Sequence, residues 1–168
     1  MIRIGKIVAT HGLGGSLILS HIVGNSKWLK KDATLLLEMQ KGSYIPYFVS
    51  QVKASNEKEY IINFEDTDKV EAAKKLVTKH VYVDEALLAD YAKQSPLLWI
   101  GFKVTDKHIG EIGDIEDVLQ TGAQWLAKLT WKNTEVLIPL IDQTIEQVDI
   151  KKKVLKTDLP EGLLDVYL

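Results

Sequence analysis

From Trp125 to Trp131 every second residue lies on one apolar row: Trp125, Ala127, Leu129 and Trp131 alternate with Leu126, Lys128, Thr130 and Lys132. A period of two belongs to a β-strand, whose successive side chains point to opposite faces; a helix scatters such a row around its axis. Asn133-Thr134 breaks the row, and Val136, Ile138 and Leu140 then resume it, which predicts a hairpin turning near Asn133. Tyr60, Ile62 and Phe64 repeat the pattern against Ile61 and Asn63. Such runs are short and are cut by Gly, Asn, Asp and Lys, so the chain predicts small antiparallel sheets and a mostly all-β class.

One stretch departs from that period. In Asp68 to Val77 the apolar residues Val70, Ala73, Leu76 and Val77 share one helical face, and Asp68 with Glu71 three residues on fits a capping box. A single short helix is expected there, with Lys74 and Lys75 late in it, where cations suit the helix dipole. Between Leu87 and Leu98 the pattern lapses into a polar, proline-containing stretch. The expected organisation is a first domain over 1–90, a linker over 91–96 and a second domain over 97–168, with no convincing internal repeat.

The opening stretch, Gly5-Lys6-Ile7-Val8-Ala9-Thr10-His11-Gly12-Leu13-Gly14-Gly15, invites comparison with phosphate-binding loops. A P-loop needs Lys-Ser or Lys-Thr after its last glycine and a helix beginning there, whereas Gly15 runs into Ser16-Leu17-Ile18-Leu19, which alternates like a strand. The dinucleotide glycine pattern fails for the same reason, and no Gly-x-Ser-x-Gly nucleophile elbow occurs. Ile2 and Ile4 share one parity and Ile7 the other, so a bulge near Gly5-Lys6 is expected to restore the phase. The segment then reads as strand, bulge, glycine turn and strand, the first hairpin of a closed barrel. His11 is expected to be a hydrogen-bonding turn residue, with Gly12, Gly14 and Gly15 supplying positive φ.

Composition removes several function classes. No cysteine is present, which excludes disulfides, thiolate nucleophiles, iron–sulfur ligation and the usual structural zinc sites. The four histidines, at 11, 21, 80 and 108, show no ligand spacing, so no metal or cofactor is expected. Apolar runs are far shorter than the ~20 residues of a membrane span, and no long apolar stretch of a signal peptide opens the sequence, so a cytoplasmic protein is expected. A net charge of −2 argues against a general nucleic-acid coat. The distribution says more: Arg3, Lys6, Lys27, Lys30 and Lys31 all precede the first acidic residue, Asp32, and Lys151-Lys152-Lys153 forms a second cluster. These are either ordinary solvated lysines or an RNA-facing patch, and composition leaves both open.

Three groups of segments stand out together: Gly5-Lys6-Ile7-Val8 with Thr10-His11-Gly12-Leu13 and Gly15 at the front; Phe64-Glu65-Asp66, Ala72-Ala73, Leu76 and Val81-Tyr82-Val83 in the middle; and Val136-Leu137-Ile138-Pro139, Val148-Asp149 and Asp158-Leu159-Pro160-Glu161-Gly162-Leu163-Leu164 at the back. In order and spacing they resemble the opening pattern, the end of the first domain and the closing motifs of the RimM family of bacterial small-subunit ribosome maturation factors. The resemblance implies a six-stranded, translation-factor-like barrel followed by a PRC barrel. It implies a non-catalytic assembly factor that supports 16S rRNA maturation; a monomer is expected. Its partners would be the head of the immature small subunit, the nineteenth small-subunit ribosomal protein and 16S rRNA. RNA contact then falls to Lys6, His11, Lys27, Lys30 and Lys31. Ribosomal-protein contact falls to Leu97-Leu98-Trp99, where the family commonly carries Tyr-Tyr-Trp, so two phenolic hydroxyls are missing. The rival readings are a stand-alone RNA-binding module and a barrel that holds a flavin or other cofactor.

Overall fold

The computed structural model describes residues 1–24 and 27–168, without the side chains of residues 92 and 93. It divides into two compact units, Met1–Gln94 and Ser95–Leu168. In the first unit β1 (Ile2–His11), β2 (Ser16–His21), β3 (Thr34–Gln40), β4 (Ser43–Asn56), β5 (Glu59–Phe64) and β6 (His80–Val83) close into a barrel in the order β1-β2-β5-β4-β3-β6. All of these pairings are antiparallel. The interior is filled from alternate positions: Leu17 and Leu19 from β2, Leu35 and Leu37 from β3, Tyr60, Ile62 and Phe64 from β5 as predicted, and Val81 and Val83 from β6 are buried.

β1 is the strand whose phase changes. Ile4 and Ile7 are both fully buried while Arg3 and Lys6 are both exposed, an in-out pattern three residues apart that an unbroken strand cannot produce. One register shift, against β6 between Arg3 and Gly5, achieves it, so the phase-restoring irregularity lies at Ile4–Gly5, next to the expected position. A second shift, against β2 between Ile7 and Ala9, was not expected. Gly12 and Gly15 have φ of +67° and +81° as the turn requires, but Gly14 does not adopt positive φ. Turn geometry needs the left-handed conformation only at its two ends.

The helix of the first unit, α1 (Val70–Lys74), is shorter than the periodic stretch. Its last bonds, Leu76 N–H to Ala73 and Val77 N–H to Lys74, tighten to three-residue spacing, and Thr78 at φ +73° then ends it. Its N-cap is Lys69, with no side-chain cap, so Asp68 does not form the expected capping box: the helix begins one residue too late for its carboxylate. A second helical turn, α2 (Glu85–Leu88), is capped by Asp84, whose carboxylate accepts the Ala86 N–H at 2.8 Å. The stretch expected as a linker is taken up by 3-10 turns: Ala89–Gln94 closes the first unit, and Pro96–Trp99 begins just inside the second.

In the second unit β7 (Lys103–Asp106), β8 (Gly110–Asp114), β12 (Ile145–Asp149) and β13 (Val154–Thr157) form one sheet in the order β12-β13-β7-β8. β9 (Asp117–Thr121), β10 (Gln124–Trp131) and β11 (Thr134–Pro139) form the other, in the order β11-β10-β9. The predicted hairpin joins β10 to β11 through Lys132 and Asn133, whose φ of +48° and +64° are those of a primed two-residue turn. The two sheets approach at Gly113, where an added Cβ would lie 2.9 Å from the Thr130 carbonyl oxygen. Val104, Ala127, Leu129, Val136, Ile138 and Leu155 fill the core of this unit. No helix among the described residues is long and apolar enough to cross a membrane.

Candidate functional site

The basic segment between β2 and β3 is anchored from below. As the chain leaves β2, His21 turns inward and stacks on Tyr60 at 4.9 Å between ring centroids, and Trp28 meets both rings edge-on at 5.4 and 5.7 Å. The Trp28 indole N–H donates to His21 Nδ1 at 3.4 Å, and the Leu29 N–H donates to the Tyr60 hydroxyl at 3.4 Å. Trp28 and Leu29 are buried. Nearby, the Tyr91 hydroxyl donates to the Lys27 carbonyl at 3.1 Å, and the Asp32 N–H to that of Val49 at 2.8 Å. Burial drives the His21 pKa down from 6.5 to about 4, so the ring is neutral at physiological pH and the cluster is held by packing. The result is a short loop that buries Val23, Trp28 and Leu29 and exposes Lys27, Lys30 and Lys31.

Lys6 is also exposed, and it pairs with Ser20, one residue before the loop leaves the barrel. His11 does not belong to this group. It ends β1 at the opposite end of the hairpin, paired with Ser16, about 16 Å further along the strand at ~3.3 Å per residue. Its ring is exposed and makes no hydrogen bond among the described residues, so the expected turn bond is absent; the turn is closed by glycine conformations. The same turn lifts Leu13 into solvent, 87% exposed.

Leu97, Leu98 and Trp99 do not present a common surface. Trp99 is fully buried and Leu98 nearly so, because the apolar area of an indole is worth more inside than at a rim. The segment shows solvent only part of Leu97, together with the following Ile100, which is 46% exposed. Sequence reading did not single out Ile100. It also passed over His80, and it counted Arg3 in the basic cluster without assigning it a contact, although the parity change between Ile4 and Ile7 carried the signal for Arg3: a strand that buries both must turn Arg3 and Lys6 outward together. Among the described residues no group of three or more His, Asp or Glu is placed to hold a metal ion.

The model of the RimM N-terminal domain matches residues 2–88 and that of the RimM PRC barrel domain matches residues 99–163. The chain belongs to the RimM family. The first unit is the RimM N-terminal domain, a closed six-stranded barrel, and the second is the RimM PRC barrel. Relatives include the ribosome maturation factor RimM of Parabacteroides distasonis, 32% identical over 98% of this chain and 95% of that protein. The RimM of Flavobacterium psychrophilum is 28% identical over 98% of this chain and 95% of that protein. A solved structure, described as a 16S ribosomal RNA processing protein RimM from Pseudomonas aeruginosa, covers 95% of this chain and 97% of that one at 20% identity and a TM-score of 0.46.

Proposed function

We propose that this chain is a non-catalytic ribosome maturation factor of the cytoplasm that binds the head of the immature small subunit and supports 16S rRNA maturation. The observation that carries the reading is family membership across both domains, joined to relatives named as ribosome maturation factors. The factor works by differential binding: it holds one conformation of the maturing subunit more tightly than its competitors and shifts the population without making or breaking a bond. Lys6 and the anchored loop bearing Lys27, Lys30 and Lys31 meet rRNA phosphate, with His11 a separate RNA contact at the far end of the hairpin. Leu97 and its neighbour Ile100 meet the nineteenth small-subunit protein, while Leu98 and Trp99 act from inside as the support of that surface.

Co-sedimentation tests the reading. The purified chain is expected to pellet with free small subunits and to be left behind by mature full ribosomes. Equal recovery with both particles, or with neither, would dismiss it.

A further inference from the structure

The register shift in β1 between Arg3 and Gly5 gives the barrel an outward face that starts at Lys6, beside the lysine loop, and runs across its neighbours. Across five strands of the barrel the residues Tyr44, Glu38, His80, Lys6 and Ser20 stand in one register row, each paired with the next. The alternate residues Leu37, Val81, Ile7 and Leu19 are buried, so this row faces outward. Arg3 pairs with Tyr82 in the flanking row and is exposed. Without the shift between Arg3 and Gly5, Arg3 and Lys6 would point to opposite faces.

Beyond Ser20 the row continues to Glu59 on β5, which accepts from the Asn56 amide at 3.1 Å. Between Tyr44 and Ser20 Glu38 is the one carboxylate, and it is already engaged. Its Oε1 accepts the Gly42 N–H at 3.0 Å, and its Oε2 accepts the Tyr82 hydroxyl at 3.2 Å and lies 3.5 Å from His80 Nδ1. The Gly42 N–H, opposed by partial burial and aided by Tyr82 and His80, holds this carboxyl below its ordinary value. Tyr82 is in turn braced edge-on against Tyr44 at 4.9 Å, and Tyr44 stays 36% exposed. Beside the row lies an open hollow of about 270 Å³ whose lining includes Lys41, Lys79 and His80. The Lys79 ammonium donates to the Met39 carbonyl at 3.0 Å and keeps two further protons for another acceptor.

We propose that this face of the barrel binds single-stranded RNA, with phosphates on Arg3, Lys6, Lys41 and Lys79 and a base stacked on the Tyr44 ring. The inference rests on the ribosome reading for its choice of partner. Charge complementarity carries the rest: four cations outnumber the two carboxylates of the row, Glu38 and Glu59, each of which is already engaged within the barrel, and the exposed aromatic supplies a stacking surface that any base can use. From Tyr44 to Lys6 the row spans about 14 Å at ~4.8 Å per strand, room for a few nucleotides of extended backbone.

The test titrates a short fluorescein-labelled single-stranded RNA of mixed sequence with the full chain over a salt series. Arg3→Glu/Lys6→Glu is expected to weaken binding at least about tenfold and to flatten the log–log salt slope by about 1.4, near 0.7 for each lost phosphate contact. Tyr44→Ala is expected to weaken it about ten- to a hundredfold with the slope unchanged, and Tyr44→Phe to restore it. Thermal melts of each variant, matching the parent, exclude unfolding as the cause. Variants that bind the oligomer like the parent overturn the proposal. So does a parent that ignores the oligomer while Arg3→Glu/Lys6→Glu still loses the small subunit, since the face then meets protein. A parent that binds the oligomer but fails to sediment with small subunits would overturn the ribosome reading and leave the RNA face standing.

Discussion

His21 is buried with one ring nitrogen served and the other not. Because Nδ1 accepts from Trp28, the ring proton sits on Nε2, which has no partner among the described residues. Charging such a ring costs stability. With the pKa lowered from 6.5 to about 4, the unfolded chain holds more protons than the folded one across that window, so stability is full above pH 6.5 and falls as pH drops toward 4. The loss is at most about 1.4 kcal/mol per pH unit, ~3 kcal/mol in all. His21→Phe should remove this acid slope, read as urea unfolding free energy against pH; an unchanged slope would assign the loss elsewhere. Asp106 behaves in the opposite sense. Burial raises its pKa, but N–H bonds from Leu159, His108 and Ile109, together with the Thr157 hydroxyl, outweigh burial and hold it below 3.8. Its contribution is present above pH 3.8 and is lost only as pH falls below that value. Asp106→Ala should cost about 3 kcal/mol at neutral pH, because three backbone donors lose a charged acceptor. A loss under about 1 kcal/mol would mean that water replaces the carboxylate.

At the scale of elements the glycines of the first hairpin do unequal work. A Cβ on Gly5 would lie 1.9 Å from the Ser20 carbonyl oxygen, and one on Gly15 would lie 2.2 Å from that of Thr67. Gly14 has open space and no positive φ. Gly5→Ala and Gly15→Ala should therefore each destabilise the barrel by about 3 kcal/mol or more, and Gly14→Ala by under about 0.5 kcal/mol. Equal effects at all three would mean that the hairpin's backbone moves freely. Such close approaches are invisible in the sequence, where the glycines look alike. The strands were legible where one face is buried and the other wet, as at Tyr60–Phe64 and Trp125–Trp131, because burial writes itself as period two. β4 was not, since most of Ser43–Asn56 is exposed and carries no alternation. Nor was α2, a single turn too brief to show a helical period. Among candidate site residues, the lysine bias before Asp32 was plain in the sequence. Trp28 was not, since only tertiary packing shows that it pins the loop, and for Trp99 the sequence leaves buried anchor and partner contact both open because an indole in a short turn carries no mark of which side it faces.

For the whole molecule, a net charge of −2 makes long-range attraction to RNA weak, so an affinity for ribosomal particles has to come from local patches. Charge and apolar contact then leave separable traces. Lys27→Glu/Lys30→Glu/Lys31→Glu should both weaken small-subunit binding and flatten its salt dependence by about two to three units of log–log slope, since each phosphate contact contributes ~0.7 to 0.9. Leu97→Ser/Ile100→Ser should weaken the same binding while leaving the slope alone, because the loss of apolar burial releases no counterions. Trp28→Ala should resemble the second class although it lies among the lysines: the charges remain, but the loop that presents them must be ordered on binding, and that cost lowers affinity at every salt concentration alike. A Trp28→Ala slope as flat as that of the glutamate variant would mean that the cations no longer reach phosphate at all. A triple-glutamate variant with the parent slope would move the RNA contact off this loop. With that loop neutral to salt, any slope that remained would come from cations elsewhere, among them Arg3 and Lys6, which stand exposed on the outer face of β1.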